Sequence, residues 1–140
     1  MIDAAEFEAL LGEWRFRPYD LCTCNCVLWA RAAVLAQAGP DIADLLGLPI
    51  GCWERPDAAR RIVARFDGVR ALIVTALPAE IPLLQVRRGD LVFCSRHVEP
   101  GWSEAVGVWD GQHGLFVGAN GLQPRLLSQC DGAVRVGPEA

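Results

Sequence analysis

The chain contains no lysine, and all thirteen of its basic residues are arginine. Set against seventeen acidic residues they leave a formal net charge of −4. A chain of that sign disfavours nucleic acid as a partner, because phosphate binding needs a net-positive face that displaces counterions. Arginine also makes forked bonds to carboxylates that lysine cannot, so the bias suits fixed ion pairs. Histidine is scarce: only His97 and His113 are available to any proton-transfer chemistry. Long apolar runs are missing too. Those around Ala71 to Leu77 fall far below the roughly 18 residues that span a membrane, which predicts a soluble chain with no membrane span. Met1 to Glu6 carry neither the basic start nor the apolar segment of a secretory signal, so synthesis in a cytoplasm is expected.

What is present is a core. Hydrophobic residues make up 52% and charged ones 21% of 140 residues, which excludes a disordered chain and suits one compact domain over 1–140. Helical signals fill about 1–80. Ile2, Phe7, Leu10 and Leu11 predict a short amphipathic helix that Gly12 could end. A longer helix is predicted from about Thr23, as N-cap, to Ala38, with Gly39-Pro40 as its stop. Asp41 can cap a turn of helix through Leu46, and Pro56-Asp57 can open another from Ala58 to Phe66. Val69 to Leu77 reads as helix despite the β-branched 72–75. Over about 88–137 the texture changes to short apolar runs separated by Gly, Asp and Asn: 91–95, 105–109, 115–119, 125–128 and 133–136. That predicts an antiparallel meander, and helices before strands predict an α+β domain with its N-terminal helices packed on a C-terminal antiparallel β-sheet.

Six cysteines, at 22, 24, 26, 52, 94 and 130, are many for a protein made in a reducing compartment. Cys94 sits in the apolar run 91–94 and reads as packing. Cys26 falls in the first turn of the long helix, where aligned backbone amides stabilise a thiolate, so it is a candidate nucleophile. Cys22, Cys24, Cys26 and Cys52 offer four sulfurs, the number a zinc ion or an iron–sulfur cluster uses. The spacing argues against a metal, however, because structural zinc sites favour two to four residues between paired cysteines. No cofactor is otherwise expected. Arg88-Gly89-Asp90 reads as a turn into the first strand, with the aspartate accepting backbone hydrogen bonds. Trp14, Phe16, Trp53 and Trp102 are the candidate surface aromatics, and Trp102 is the preferred contact residue.

Cys26 opening a helix, followed by Arg88-Gly89-Asp90-Leu91-Val92-Phe93 and Ala105-Val106-Gly107-Val108-Trp109, resembles the NlpC-type branch of papain-like cell-wall peptidases. The order of motifs is similar still more closely to a family of phage-encoded relatives found among tail-assembly genes. Trp14, Pro18-Tyr19, Asn25-Cys26, Gly39 with Asp41, Gly51 to Trp53, Gly107, Gly121-Leu122 and the closing Ala133 to Val136 all fall in register over about 120 residues. The resemblance implies a papain-like fold with Cys26 at the nucleophile position. It also implies departures. Asn25 replaces the usual aspartate, Cys22 a glycine, Ala105 the histidine that would act as base, and Gly118 the residue that would orient it.

Without an imidazole, proton transfer worth roughly 10²–10⁴ in rate is missing. The expectation is therefore a catalytically degenerate domain serving as a structural or assembly component of a tailed-phage virion, at the distal tail or its hub, with other tail proteins as partners. The rival expectation is an active cysteine peptidase or amidase on peptidoglycan, with Cys26 as nucleophile and His97, backed by Glu99, as base. His113 is placed about 16 Å away by the length of a five-residue strand.

Overall fold

Helix α1 (Ala4–Trp14) begins at Asp3, whose carboxylate accepts from the Ala5 and Glu6 amides. Phe7, Leu10, Leu11 and Trp14 recur at helical spacing and are buried. Gly12 was expected to stop this helix, yet it lies inside it on a face open to solvent. The apolar stripe on the other face carries the helix on to Trp14. The computed structural model describes residues 1–20, 24–37, 39–48, 58–95 and 103–137.

Helix α2 (Cys26–Ala36) starts later than the sequence suggests. Cys24 is held extended in a bridge to Asp20, and Asn25 serves as N-cap, its side-chain oxygen accepting from the Leu28 amide at 2.9 Å. A side-chain oxygen at that position satisfies an amide that the helix itself cannot. Asp41 caps α3 (Ile42–Leu45) as expected, and α4 (Ala58–Arg65) and α5 (Val69–Ala76) follow. In α5 the residues Val69, Leu72, Ile73 and Ala76 are buried. That spacing decides for helix over the β-branched character of 72–75.

The strands are β1 (Glu80–Ile81), β2 (Leu91–Cys94), β3 (Ala105–Trp109), β4 (Gly114–Gly118), β5 (Gly121–Arg125) and β6 (Gly132–Val134). Among the described residues they form one antiparallel sheet in the order β1-β6-β2-β3-β4-β5. The meander runs β2 to β5, and β6 returns to the free side of β2. Two features differ from the sequence reading. Strand β1 is only two residues long and carries no pattern to find. The strand expected over 125–128 lies earlier, because Gly118 pairs with Gly121 and leaves only Ala119 and Asn120 to make the turn. Gly121 takes φ +113° and has the Arg15 carbonyl where a Cβ would stand, so only glycine fits. Residues 127–129 form a 3-10 turn instead.

This is an α+β domain, N-terminal helices before a C-terminal six-stranded sheet. Every position of β2 and β3 is buried, which is why these strands read as unbroken apolar runs rather than alternating ones. Trp29, fully buried, joins the layers: its indole Nε1 donates to the Leu115 carbonyl at 2.8 Å, and its ring lies 5.4 Å from that of Trp14. Trp14 is therefore core rather than surface, although Arg17 stacks over its ring at 4.6 Å. Phe16, by contrast, is 81% exposed, as expected.

Candidate functional site

Helix α2 runs from one end of the sheet to the other. At its C-terminal end the Gln37 side-chain amide donates to the Gly89 carbonyl at 2.9 Å, and the Gly89 amide donates to the Trp109 carbonyl at 2.9 Å. At its N-terminal end the chain arrives along β4. The Tyr19 amide donates to the Gly118 carbonyl at 2.9 Å, and Asp20 and Cys24 exchange backbone hydrogen bonds at 2.8 and 2.9 Å. Asn25 and Cys26 follow directly. Strand β3 pairs Val108 with Leu115 and Trp109 with Gly114, and the same register carried along both strands brings Ala105 to the level of Gly118. The start of the Cys26 helix, Ala105 and Gly118 thus share one end of the sheet.

Among the described residues, Asn25, Cys26 and Ala105 at that end are fully buried. Cys26 stands at the first position of α2, where the backbone amides favour a thiolate, but it has no exposed surface. Asn25 and Ala105 are equally buried. At Gly118 a Cβ would lie 2.5 Å from Gln123 Cδ and 2.8 Å from its Cγ and Nε2. The Gln123 side chain thus lies over the place where an orienting residue would stand. Gln123 was not singled out in the sequence. The available signal was a glycine inside a strand, which leaves room for a neighbouring side chain to lie across it.

His113 belongs to the other end. Its amide donates to Asp110 Oδ1 at 2.6 Å, and the Asp110 amide donates to the His113 carbonyl at 2.9 Å, which fixes it in the turn after Trp109. The eleven residues of α2 span about 16 Å at 1.5 Å per residue, so His113 is remote from Cys26. His97, Glu99, Trp53, Trp102, Cys22 and Cys52 lie outside the described residues.

The remaining cysteines are buried. The Cys24 thiol donates to the Arg17 carbonyl at 3.7 Å, Cys94 to Gln129 at 3.2 Å, and Cys130 to Leu126 at 3.5 Å. Burial, and then the nearby Cys94 and Asp131, push the Cys130 thiol up to about 11. Such a thiol is inert at neutral pH. Among the described residues no three histidine, cysteine or acidic side chains converge as a metal site would require.

The Arg88-Gly89-Asp90 turn is a structural hub. The Asp90 carboxylate, 2% exposed, accepts from the Arg87 and Val136 amides at 3.0 and 3.1 Å and from Arg135 Nε at 3.0 Å. Arg88 donates to the Ile2 carbonyl at 2.9 Å and ties the N-terminus to the sheet. A cleft of about 260 Å³ lies between α4 and α5, lined by Arg60, Asp67, Gly68, Ser103 and Glu104 among others. There Glu104 accepts from the Arg70 amide at 2.8 Å. It caps α5 from across the chain where Gly68 has no side chain to do so.

A family model described as Domain of unknown function (DUF6950) matches residues 3–136. The chain belongs to this family. No curated protein and no solved structure matches it. The match spans α1 to the residues just after β6, so the Cys26 helix, Ala105, Gly118 and the Asp90 hub all fall inside the DUF6950 domain.

Proposed function

We propose that this DUF6950 chain is a catalytically inactive papain-like domain that serves as a structural or assembly part of a tailed-phage virion. The observation that carries the reading is the burial of Cys26, with no exposed surface, at an end of the sheet where Ala105 and Gly118 hold neither a base nor a group to orient one. A cysteine hydrolase needs its sulfur open to substrate and an imidazole within hydrogen-bond reach. A cysteine-headed helix laid along an antiparallel sheet is the arrangement the papain-like resemblance implies, and the resemblance of the motif order to that of phage tail-gene proteins supports the virion context. Other tail proteins would be the partners, and the tail the location.

The rival enzyme reading draws on one feature, the place of Cys26 at the amino end of α2. Thiol labelling separates the two. In the native chain both Cys26 and Cys130 should resist alkylation at neutral pH and react only on unfolding. Fast native labelling of Cys26, with murein-peptide cleavage that is lost in Cys26→Ala, would overturn the inactive reading. In a phage carrying this gene, Cys26→Ala should leave virion assembly intact while deletion of the chain abolishes it.

A further inference from the structure

Helix α4 breaks the local rules for a stable surface helix. Arg60 and Arg61 sit in its first turn, where the helix dipole disfavours cations, and Arg61 and Arg65 are a like-charge pair four residues apart. All three are exposed, and among the described residues none is in an ion pair. This occurs in a chain with more acidic than basic residues, and although Asp67 and Glu104 line the same cleft as Arg60, neither is in an ion pair with it among the described residues. Local conflicts of this kind are expected where a surface has a second task.

The complementary face is on α1. Glu6 and Glu13 are exposed and seven residues apart, which puts them on one side about 10 Å from each other. Among the described residues neither is in an ion pair; Glu8 alone on this helix contacts an arginine, Arg15, at 3.8 Å. Between them lie exposed Ala9 and Gly12, and on α4 exposed Ala64 lies between the arginines. Small residues at those places let two helix axes approach closely. The two faces cannot easily meet within one chain. The C-terminal end of α1 is tied to edge strand β5 through the Arg15 carbonyl and Leu122 amide, 2.9 Å apart. Helix α5, which follows α4 after a short turn, is tied toward the opposite edge through Arg70, against Gly132 of β6 and 3.9 Å from Glu80 of β1.

Among the described residues the sheet edges offer no competing route. On β5 the outward Leu122 amide is taken by Arg15, and Pro124 has no amide to give. Strand β1 is two residues long. Edges so short or blocked do not add a further strand.

We propose that copies of this chain associate head to tail, the arginine face of α4 in one copy docking on the glutamate face of α1 in the next. Unlike faces make a heterologous contact, which closes into a ring or extends as a filament. The proposal deepens the structural reading above and rests on it.

Sedimentation of the full chain tests it. The wild type should assemble at about 0.02 M salt and dissociate at about 0.5 M, where screening acts over only a few ångströms. The triple variant Arg60→Glu, Arg61→Glu, Arg65→Glu and the double variant Glu6→Arg, Glu13→Arg should each lose association by about tenfold or more. An equimolar mixture of the two should regain it. A wild type that stays monomeric at low salt, an assembly indifferent to the triple variant, or a mixture that fails to assemble would overturn the proposal. A monomeric wild type would leave the inactive-domain reading standing, since that depends on Cys26 labelling.

Discussion

Helix α2 ends in two surroundings that are built differently. At its Gln37 end, polarity is dense. The Asp90 carboxylate has three donors, Arg135 also donates to the Gln85 carbonyl at 2.7 Å, and the Gln37 amide reaches both the Ala33 and Gly89 carbonyls. At its Cys26 end, the positions to which the peptidase resemblance would give chemistry hold Asn25, Ala105 and Gly118. A buried charge persists only where it is fully bonded, because an uncompensated one is strongly destabilising. The hub meets that condition and locks β6 beside β2. At the other end the described residues Asn25, Cys26 and Ala105 are buried and uncharged. Charge at the Asp90 hub holds the fold.

The sharpest way to break that contrast is Asp90→Ala, which leaves the partly buried Arg135 without its carboxylate and the Arg87 and Val136 amides without their acceptor. It should cost about 3–5 kcal/mol by urea denaturation, with Asp90→Asn costing less. A loss under about 1 kcal/mol would mean the hub is not what holds the strands together. Gly107→Ala probes the packing of β3 toward its Ala105 end. The new Cβ would lie 2.6 Å from the Leu115 carbonyl oxygen and 2.9 Å from the Phe116 ring, so a loss of about 1–3 kcal/mol is expected.

Asn25→Ala removes the cap beside the thiol and should cost about 1 kcal/mol. A larger loss would show that this end depends on polarity after all.

The smallest effect lies midway along α2. Arg31 makes a forked bond to Asp41 at 2.7 to 3.1 Å. That bond, helped by the Ala43 amide and opposed by burial, holds the Asp41 carboxyl below its ordinary 3.8. A depressed carboxyl stabilises the fold fully above that ordinary value, and the contribution is lost as pH falls through the folded-state value. Arg31→Gln should therefore lower stability at neutral pH by under about 1 kcal/mol for this partly exposed pair. The difference from wild type should vanish in acid.

Much of the architecture was legible because it rests on local rules. Periodic burial marked α1, α2 and α5, Asp41 announced its own cap, and unbroken apolar runs located β2 and β3. The site was legible only as a set of positions. Cys26 at a helix start and the missing side chains at Ala105 and Gly118 could be read from motif order, since no three-dimensional fact is needed to notice an alanine. Other features could not, because each depends on partners far apart in the chain. Asp90 joins Arg135 across 45 residues and Arg70 meets Glu104 across 34. The placement of Gln123 over Gly118 depends on a turn that shifted β5 by several residues.

The sequence by itself determined that helices precede strands, that the chain can fill a core, and that one thiol would open a helix. Only the tertiary structure decided that this thiol is sealed from solvent, that Trp14 is core, and that Asp90, expected to accept backbone hydrogen bonds in its turn, also holds Arg135. The reason is physical: helix and strand preferences act over a few residues, whereas burial and hydrogen-bond satisfaction depend on what the rest of the chain brings alongside.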